Sequence, residues 1–115
     1  MNWDEVVTLA KGLPGTETST SYGTPALKVR GKLLTRFRPE DESLVLIGVP
    51  VDERDMLIEA APDVFHVTPH YDGYPMILAR LAALDEDRLR PFLVRRWRDL
   101  ATKRALAEFD AGRTR

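Results

Sequence analysis

Several features that commonly reveal a protein's chemistry are missing from this 115-residue sequence. It contains no cysteine, which excludes disulfides, thiolate metal sites and cysteine nucleophiles. No apolar run approaches the roughly 20 residues that a membrane-spanning helix requires. The opening Met1-Asn2-Trp3-Asp4-Glu5 lacks the basic and then apolar segments of a secretory leader. We therefore expect a cytoplasmic protein that does not enter membranes.

Motifs for nucleotide binding and for hydrolysis are missing as well. The sequence contains no GxxxxGK(S/T), GxGxxG or GxSxG pattern. Ser19, Ser21 and Ser43 are present, but no spacing pairs them with a histidine and a carboxylate in a recognisable catalytic pattern. We expect no enzyme activity, no catalytic residue, no cofactor and no metal site.

What is present is an ordinary globular composition with a local charge pattern. Hydrophobic residues make up 43% and charged residues 30% of the chain, a balance that favours one folded core. We predict a single domain over residues 1–111, a frayed tail over residues 112–115, and a monomer or weak homodimer. The net charge is −1, yet residues 28–38 contain five basic and no acidic residues, and residues 88–104 contain seven basic residues and one acidic residue.

The order of helical and strand patterns predicts an α+β fold. Asn2 and Glu5 have the spacing of a helix capping box, so a first helix is expected to extend to about Lys11. Asp85 is placed to cap a long final helix, in which Pro91 gives either a kink or the start of the regular part. Between these helices the patterns predict a turn at 23–25, a short helix at 52–60, and extended segments at 17–22, 26–30, 32–38, 44–49, 64–67 and 76–81. We predict a single antiparallel sheet with the N- and C-terminal helices packed on one face.

The predicted hairpin at 26–38 turns at Arg30-Gly31-Lys32 and has two chemically different faces. Because side chains alternate along a strand, one face is expected to be apolar and the other cationic. The apolar set is Leu27, Val29, Leu33, Thr35 and Phe37, and the other set is Lys28, Arg30, Lys32, Leu34, Arg36 and Arg38.

Four segments have an order and spacing that are not specific singly but are distinctive together. They are Leu13-Pro14-Gly15-Thr16-Glu17, the run from Tyr22 to Lys32, the run from Phe65 to Tyr71, and Leu84-Asp85 with Ala101-Thr102-Lys103-Arg104. Over residues 3 to about 109, the chain resembles the MmcQ/YjbR family of small bacterial proteins. The resemblance implies a CyaY-like, frataxin-like fold and a DNA-binding role. The acidic iron-binding ridge of frataxins is not expected, since the first helix offers only Asp4 and Glu5.

Nucleic-acid binding is the first functional hypothesis. Closely spaced cations on a projecting hairpin can contact phosphates, and a basic helix can assist them. The expected phosphate contacts are Lys28, Arg30, Lys32, Arg36 and Arg38, helped by Arg95 and Arg98. The alternative is structural, because such cations also protect strand edges and solvate helix faces.

Ligand or protein binding is the second hypothesis, with no nucleic-acid role. Five residues of suitable chemistry cluster in one turn-rich segment: His66, His70, Tyr71, Asp72 and Tyr74. Their spacing fits no zinc pattern, and a packed loop with hydrogen-bonded histidines is the structural alternative. A deep apolar pocket beside this segment favours the second hypothesis, whereas a continuous basic stripe across hairpin and helix favours the first.

Overall fold

Six strands form one antiparallel sheet in the computed structural model, which describes residues 1–113. The strands lie side by side in the order β1-β2-β3-β4-β6-β5. The elements are α1 (Trp3–Ala10), β1 (Thr16–Ser21), β2 (Thr24–Val29), β3 (Lys32–Arg38), β4 (Ser43–Ile47), α2 (Val51–Ala60), β5 (Phe65–His66), β6 (Met76–Arg80), α3 (Glu86–Leu100) and α4 (Lys103–Arg113). None of these helices is long and apolar enough to cross a membrane.

The main core lies between the helices and one face of the sheet. α1 contributes Val6 and Ala10, and α3 contributes a stripe that includes Trp97, which is completely buried. The sheet side is formed by Leu27, Leu34, Leu44, Leu46 and Ile77. Each fully buried aliphatic side chain of this kind contributes about 1.5–3 kcal/mol through the hydrophobic effect. The predicted α+β fold, with the terminal helices on one face of a single antiparallel sheet, is confirmed.

The predicted start of α1 is confirmed in detail. The Glu5 amide donates to Asn2 Oδ1 at 2.9 Å, and the Asn2 amide donates to Glu5 Oε1 at 3.0 Å. This reciprocal pair satisfies two of the amides that a helix start leaves without partners.

The predicted single final helix is instead two helices. α3 already begins before Pro91, which lies inside it, so the alternative in which the regular helix starts at the proline was wrong. α3 ends where Ala101 adopts an extended backbone, and α4 then begins behind Thr102, whose Oγ1 accepts from the Ala105 amide at 3.1 Å. α4 packs back on α3 through the rings of Trp97 and Phe109, whose centroids are 4.8 Å apart. α4 runs to Arg113, inside the predicted tail, and residues 114–115 lie outside the described residues.

Two-residue turns with positive φ connect the first three strands. Arg30-Gly31 joins β2 to β3 with φ of 55° and 77°, which confirms the predicted hairpin tip. Tyr22-Gly23 joins β1 to β2 with φ of 52° and 75°. Two consecutive positive φ angles are typical of type I′ turns, whose twist matches that of a hairpin. The predicted turn at 23–25 was wrong at Thr24 and Pro25, which belong to β2, and it omitted Tyr22.

The register of β2 against β3 corrects the predicted faces of the hairpin. Leu27 pairs with Thr35 but Lys28 pairs with Leu33, so Leu34 is the extra residue of a β-bulge. The bulge reverses the alternation of side chains along β3. Leu34 therefore packs in the helix-side core, whereas Leu33 lies on the opposite face. The predicted placement of both leucines was wrong.

Candidate functional site

The sheet face opposite the helices contains a pocket of about 420 Å³. Its floor is aliphatic and comes from β3, β4 and β6, while its walls come from the Tyr22-Gly23 turn and from the segment 68–75, which folds over this face. The lining residues are Tyr22, Leu33, Arg36, Val45, Ile47, His70, Tyr71, Tyr74, Pro75 and Met76. Pockets of 300–1,000 Å³ with apolar walls and few polar groups are the usual form of small-molecule sites.

Arg36 is the residue of the pocket lining that carries a permanent positive charge. Its Nη2 donates a hydrogen bond to the Tyr71 hydroxyl, and its Cζ lies 5.7 Å from the centroid of the Tyr22 ring. Within residues 1–113, no carboxylate forms an ion pair with Arg36. Six other arginines do form such pairs: Arg38, Arg54, Arg90, Arg95, Arg98 and Arg104. Arg36 is thus a half-buried cation in an apolar setting that leaves guanidinium donors available.

Arg54 of α2 forms hydrogen bonds with the segment that makes up the pocket wall. This side chain is 2% exposed, and its Nη1 donates to the carbonyls of Asp72 at 3.0 Å and of Tyr74 at 3.3 Å. A buried guanidinium between two carbonyls of one loop fixes the position of that loop. Arg54 was not among the residues predicted from the sequence. The available signal was its helical spacing from Leu57 and Ile58, which places it on the inner face of α2.

Tyr22 is a second residue that sequence analysis did not select. This residue is 93% exposed at the end of the β1–β2 hairpin, and its φ of 52° is uncommon for a large side chain. The Tyr22-Gly23 dipeptide was the available signal, because glycine at the second position suits a type I′ turn.

The residues of the predicted ligand segment lie in two separate places. His70, Tyr71 and Tyr74 line the pocket. The ring centroids of His70 and Tyr71 are 4.8 Å apart, and the two rings are nearly perpendicular. Asp72 lies in the same segment, where it is exposed and its carbonyl binds Arg54. His66 lies elsewhere, at the end of β5, and does not join the pocket.

His66 belongs to a polar cluster with Ser43 and Asp41. Its Nε2 lies 2.9 Å from Ser43 Oγ and 3.5 Å from Asp41 Oδ2, and Asp41 in turn pairs with Arg38. Burial, and next the nearby Arg80 guanidinium, lower the pKa of His66, while Asp41 opposes this shift. The structure therefore brings a serine, a histidine and a carboxylate together, which the sequence spacing did not indicate. They do not form a catalytic triad, because Ser43 is fully buried and both partners approach the same ring nitrogen.

The hairpin cations do not share one face. Lys28 pairs with Leu33 and Arg36 lines the pocket, so both lie on the pocket face. Lys32 pairs with the core residue Val29 on the helix side. Arg30 also reaches the helices, where its Nη1 donates to the Leu100 carbonyl at 3.3 Å. The single cationic face predicted from strict alternation is therefore divided by the bulge.

The remaining predicted cations have acidic partners. Arg38 pairs with Glu40 at 3.1 Å and with Asp41. Arg95 binds Glu53 of α2 at 3.1 Å, and Arg98 binds Asp110 of α4 at 2.8 Å. The hairpin and α3 do meet, since Arg96 Nε donates to the Leu33 carbonyl at 3.0 Å. Their basic residues nevertheless do not form an uninterrupted basic stripe, because acidic side chains lie among them.

The fold and this site define a small α+β domain with one antiparallel sheet, helices on one face and a pocket on the other. The family model described as YjbR matches residues 11–99. The chain belongs to the YjbR family, and the resemblance to the MmcQ/YjbR family is confirmed.

Three curated relatives are mycobacterial proteins that are described as uncharacterized, one from Mycobacterium bovis and two from strains of Mycobacterium tuberculosis. Each is 31% identical over an alignment of 121 residues, which covers 93% of this chain and 94% of the relative. No solved structure is significantly similar to the chain.

Proposed function

We propose that this protein is a binding domain for a small ligand with an apolar body and one anionic group. The observation that carries the proposal is Arg36, a half-buried guanidinium in an apolar pocket for which residues 1–113 supply no carboxylate. A half-buried cation of this kind gains from a ligand that brings its own negative charge. The aliphatic floor gains from an apolar ligand body.

The wall of the pocket is organised before a ligand arrives. Arg54 holds the carbonyls of Asp72 and Tyr74, and the Tyr74 amide donates to the Tyr71 carbonyl at 3.0 Å. A preformed wall lowers the entropy that binding must remove from the loop. This rigidity supports a binding site that includes Tyr71 and Tyr74, as the second sequence hypothesis expected.

The test is a titration of the ¹⁵N-labelled protein with hexanoate, benzoate and hexanamide, followed by amide chemical shifts. We expect both carboxylates, but not the neutral amide, to shift residues around the pocket. Arg36→Met should weaken carboxylate binding about 10-fold or more, the usual effect of losing a charged hydrogen bond. Arg88→Met removes an exposed cation on α3 and serves as the control, with unchanged binding. The proposal fails if no carboxylate shifts the pocket residues or if Arg36→Met binds as well as the wild type.

DNA binding is the second candidate function, and the tip of the β2–β3 hairpin favours it. Arg30 and Lys32 are exposed at this tip, and within residues 1–113 neither Lys28 nor Lys32 forms an ion pair. These cations are available for phosphate contacts.

Fluorescence anisotropy of labelled duplex and single-stranded DNA at several salt concentrations tests this candidate. If the tip binds phosphates, the double variant R30S/K32S should weaken binding and reduce the slope of log K against log salt by about 2. The matched control R88S/R104S removes two positive charges elsewhere. Equal losses in both variants, or no binding at low salt, would contradict a specific role of the hairpin.

A further inference from the structure

We infer that the ligand of this pocket is a flat aromatic carboxylate, held with its ring against the sheet and its carboxylate at Arg36 and Tyr71. This inference depends on the proposed function and names the ligand class. It follows from the shape of the floor, the donors at one end and the position of Tyr22.

The surfaces around the pocket suit a flat ring. Leu33, Val45 and Ile47 stand on neighbouring strands of one sheet and form the aliphatic floor. Four rings line the pocket as well, namely Tyr22, His70, Tyr71 and Tyr74. Aromatic rings prefer offset-stacked or edge-to-face partners, and a flat ligand can meet several of these rings in that way while lying on the floor.

The donors at Arg36 suit a single carboxylate. Because Arg36 Nη2 donates to the Tyr71 oxygen, the hydroxyl hydrogen of Tyr71 is free to point elsewhere. The remaining N–H groups of the guanidinium and this hydroxyl can therefore donate to the two oxygens of one carboxylate. In the described part of the lining, Arg36 is the one permanently charged residue, which matches a monoanion.

Tyr22 is an exposed residue of the pocket wall. It is a large residue in the left-handed region, where asparagine or glycine is favoured, and its ring gains almost nothing from packing in the free protein. Unfavourable backbone conformations of this kind are concentrated at functional sites. Its ring already lies within cation–π distance of Arg36, so an aromatic ligand bound to Arg36 would meet it directly.

Three matched probes test the ligand class by ¹⁵N chemical-shift titration of the full chain. They are 2-naphthoate, its saturated counterpart decahydro-2-naphthoate, and the neutral 2-naphthamide. We expect 2-naphthoate to bind about 3- to 10-fold more tightly than the saturated acid, the usual gain from aromatic pairs. It should also bind about 10-fold or more tightly than the amide, which lacks the charge.

Two variants at one position test the role of Tyr22. Tyr22→Asn removes the ring but tolerates the positive φ, so the preference for the aromatic acid should fall to about 2-fold or less. Tyr22→Phe keeps the ring and should keep the preference. Both proteins should show the same thermal unfolding midpoint within about 3 °C, because the exposed ring contributes little to the fold.

The outcomes separate this inference from the proposed function. If the two acids bind the pocket equally well and Tyr22→Asn changes nothing, the anion site stands and the aromatic class is wrong. If neither acid shifts residues of the pocket, the proposed function and the inference fail together. If 2-naphthamide binds as tightly as 2-naphthoate, Arg36 does not recognise a carboxylate, and the inference is likewise overturned.

Discussion

Replacing Arg54 by methionine should loosen the wall of the pocket and destabilise the protein. Methionine fills a similar volume but removes the two hydrogen bonds to the carbonyls of Asp72 and Tyr74. Hydrogen bonds from a charged donor contribute about 1.5–3 kcal/mol each, which gives an upper range of about 3–6 kcal/mol. Asp72 and Tyr74 are exposed residues, so water can replace part of this loss. The ion pair with Asp72 adds little, because that side chain is 78% exposed and 3.5 Å away.

These terms together predict that Arg54→Met lowers the free energy of unfolding by about 2–4 kcal/mol. For a domain of this size, the midpoint of thermal unfolding should fall by roughly 8–15 °C. Urea denaturation followed by circular dichroism measures the first quantity, and hydrogen exchange of the 68–75 amides shows whether the loop opens locally. Carboxylate affinity should fall as well, because binding must then order the loop.

The control is Arg95→Met on α3. This substitution breaks an exposed ion pair with Glu53, which belongs to the same helix α2 as Arg54. It should lower the free energy of unfolding by less than about 1 kcal/mol, as exposed ion pairs usually do. The reasoning is refuted if Arg54→Met is no more destabilising than Arg95→Met, or if the loop amides exchange as slowly in the variant as in the wild type.

Two further predictions concern the polar cluster and the bulge. Because the pKa of His66 is below its ordinary value of 6.5, the unfolded chain binds the proton more readily, and the free energy of unfolding should fall as the pH decreases below 6.5. His66→Gln should reduce this pH dependence, as measured by urea denaturation at about pH 7.5 and about pH 5.5. Leu34→Ala should lower the free energy of unfolding by about 2–5 kcal/mol because Leu34 is 1% exposed. Leu33→Ala on the pocket face should lower the free energy of unfolding by less than about 1.5 kcal/mol. If urea denaturation shows Leu33→Ala to be the more destabilising of the two, the assigned bulge is contradicted.

Much of the fold was predictable because local patterns specify it. The capping box of Asn2 and Glu5, the glycine of the Arg30-Gly31 turn and the apolar run of β4 each depend on neighbouring residues alone. The alternation of helical and extended patterns was then sufficient for the α+β class. The helical spacing of Leu89, Leu93, Trp97 and Leu100 likewise suits one buried face of α3, and all four are buried.

The errors in the fold prediction occur where tertiary contacts override local pattern. Residues 85–109 have a continuous helical pattern, but α4 gains more by turning back so that Phe109 packs on Trp97 and Asp110 pairs with Arg98. The bulge at Leu34 is a similar case. Strict alternation would place this leucine on the pocket face, whereas the extra residue allows it to enter the core.

The candidate site was only half predictable for the same reason. His70, Tyr71 and Tyr74 were selected because they cluster in the sequence. Arg36 binds Tyr71 from 35 residues away in the sequence, and Arg54 binds Tyr74 from 20 residues away. These pairs form only when the sheet has folded. His66 was grouped with His70 by proximity in sequence, but its strand directs it to Ser43 and Asp41 instead.

The bulge also determines how the two candidate functions can be separated. A charge count along residues 28–38 treats all five cations as one patch, as a nucleic-acid site would require. In the folded protein, Arg36 lies in an apolar pocket on one face, while Arg30 and Lys32 lie at the helix side of the tip. Phosphate contacts need exposed cations that can remain partly hydrated, which suits the tip. Specific recognition of a small anion is favoured by a cation that is partly shielded from water, which suits the half-buried Arg36. Because each requirement is met on a different face, substitutions at Arg36 should weaken only carboxylate binding and substitutions at the tip only DNA binding. If one substitution weakens both, a single extended surface serves one ligand.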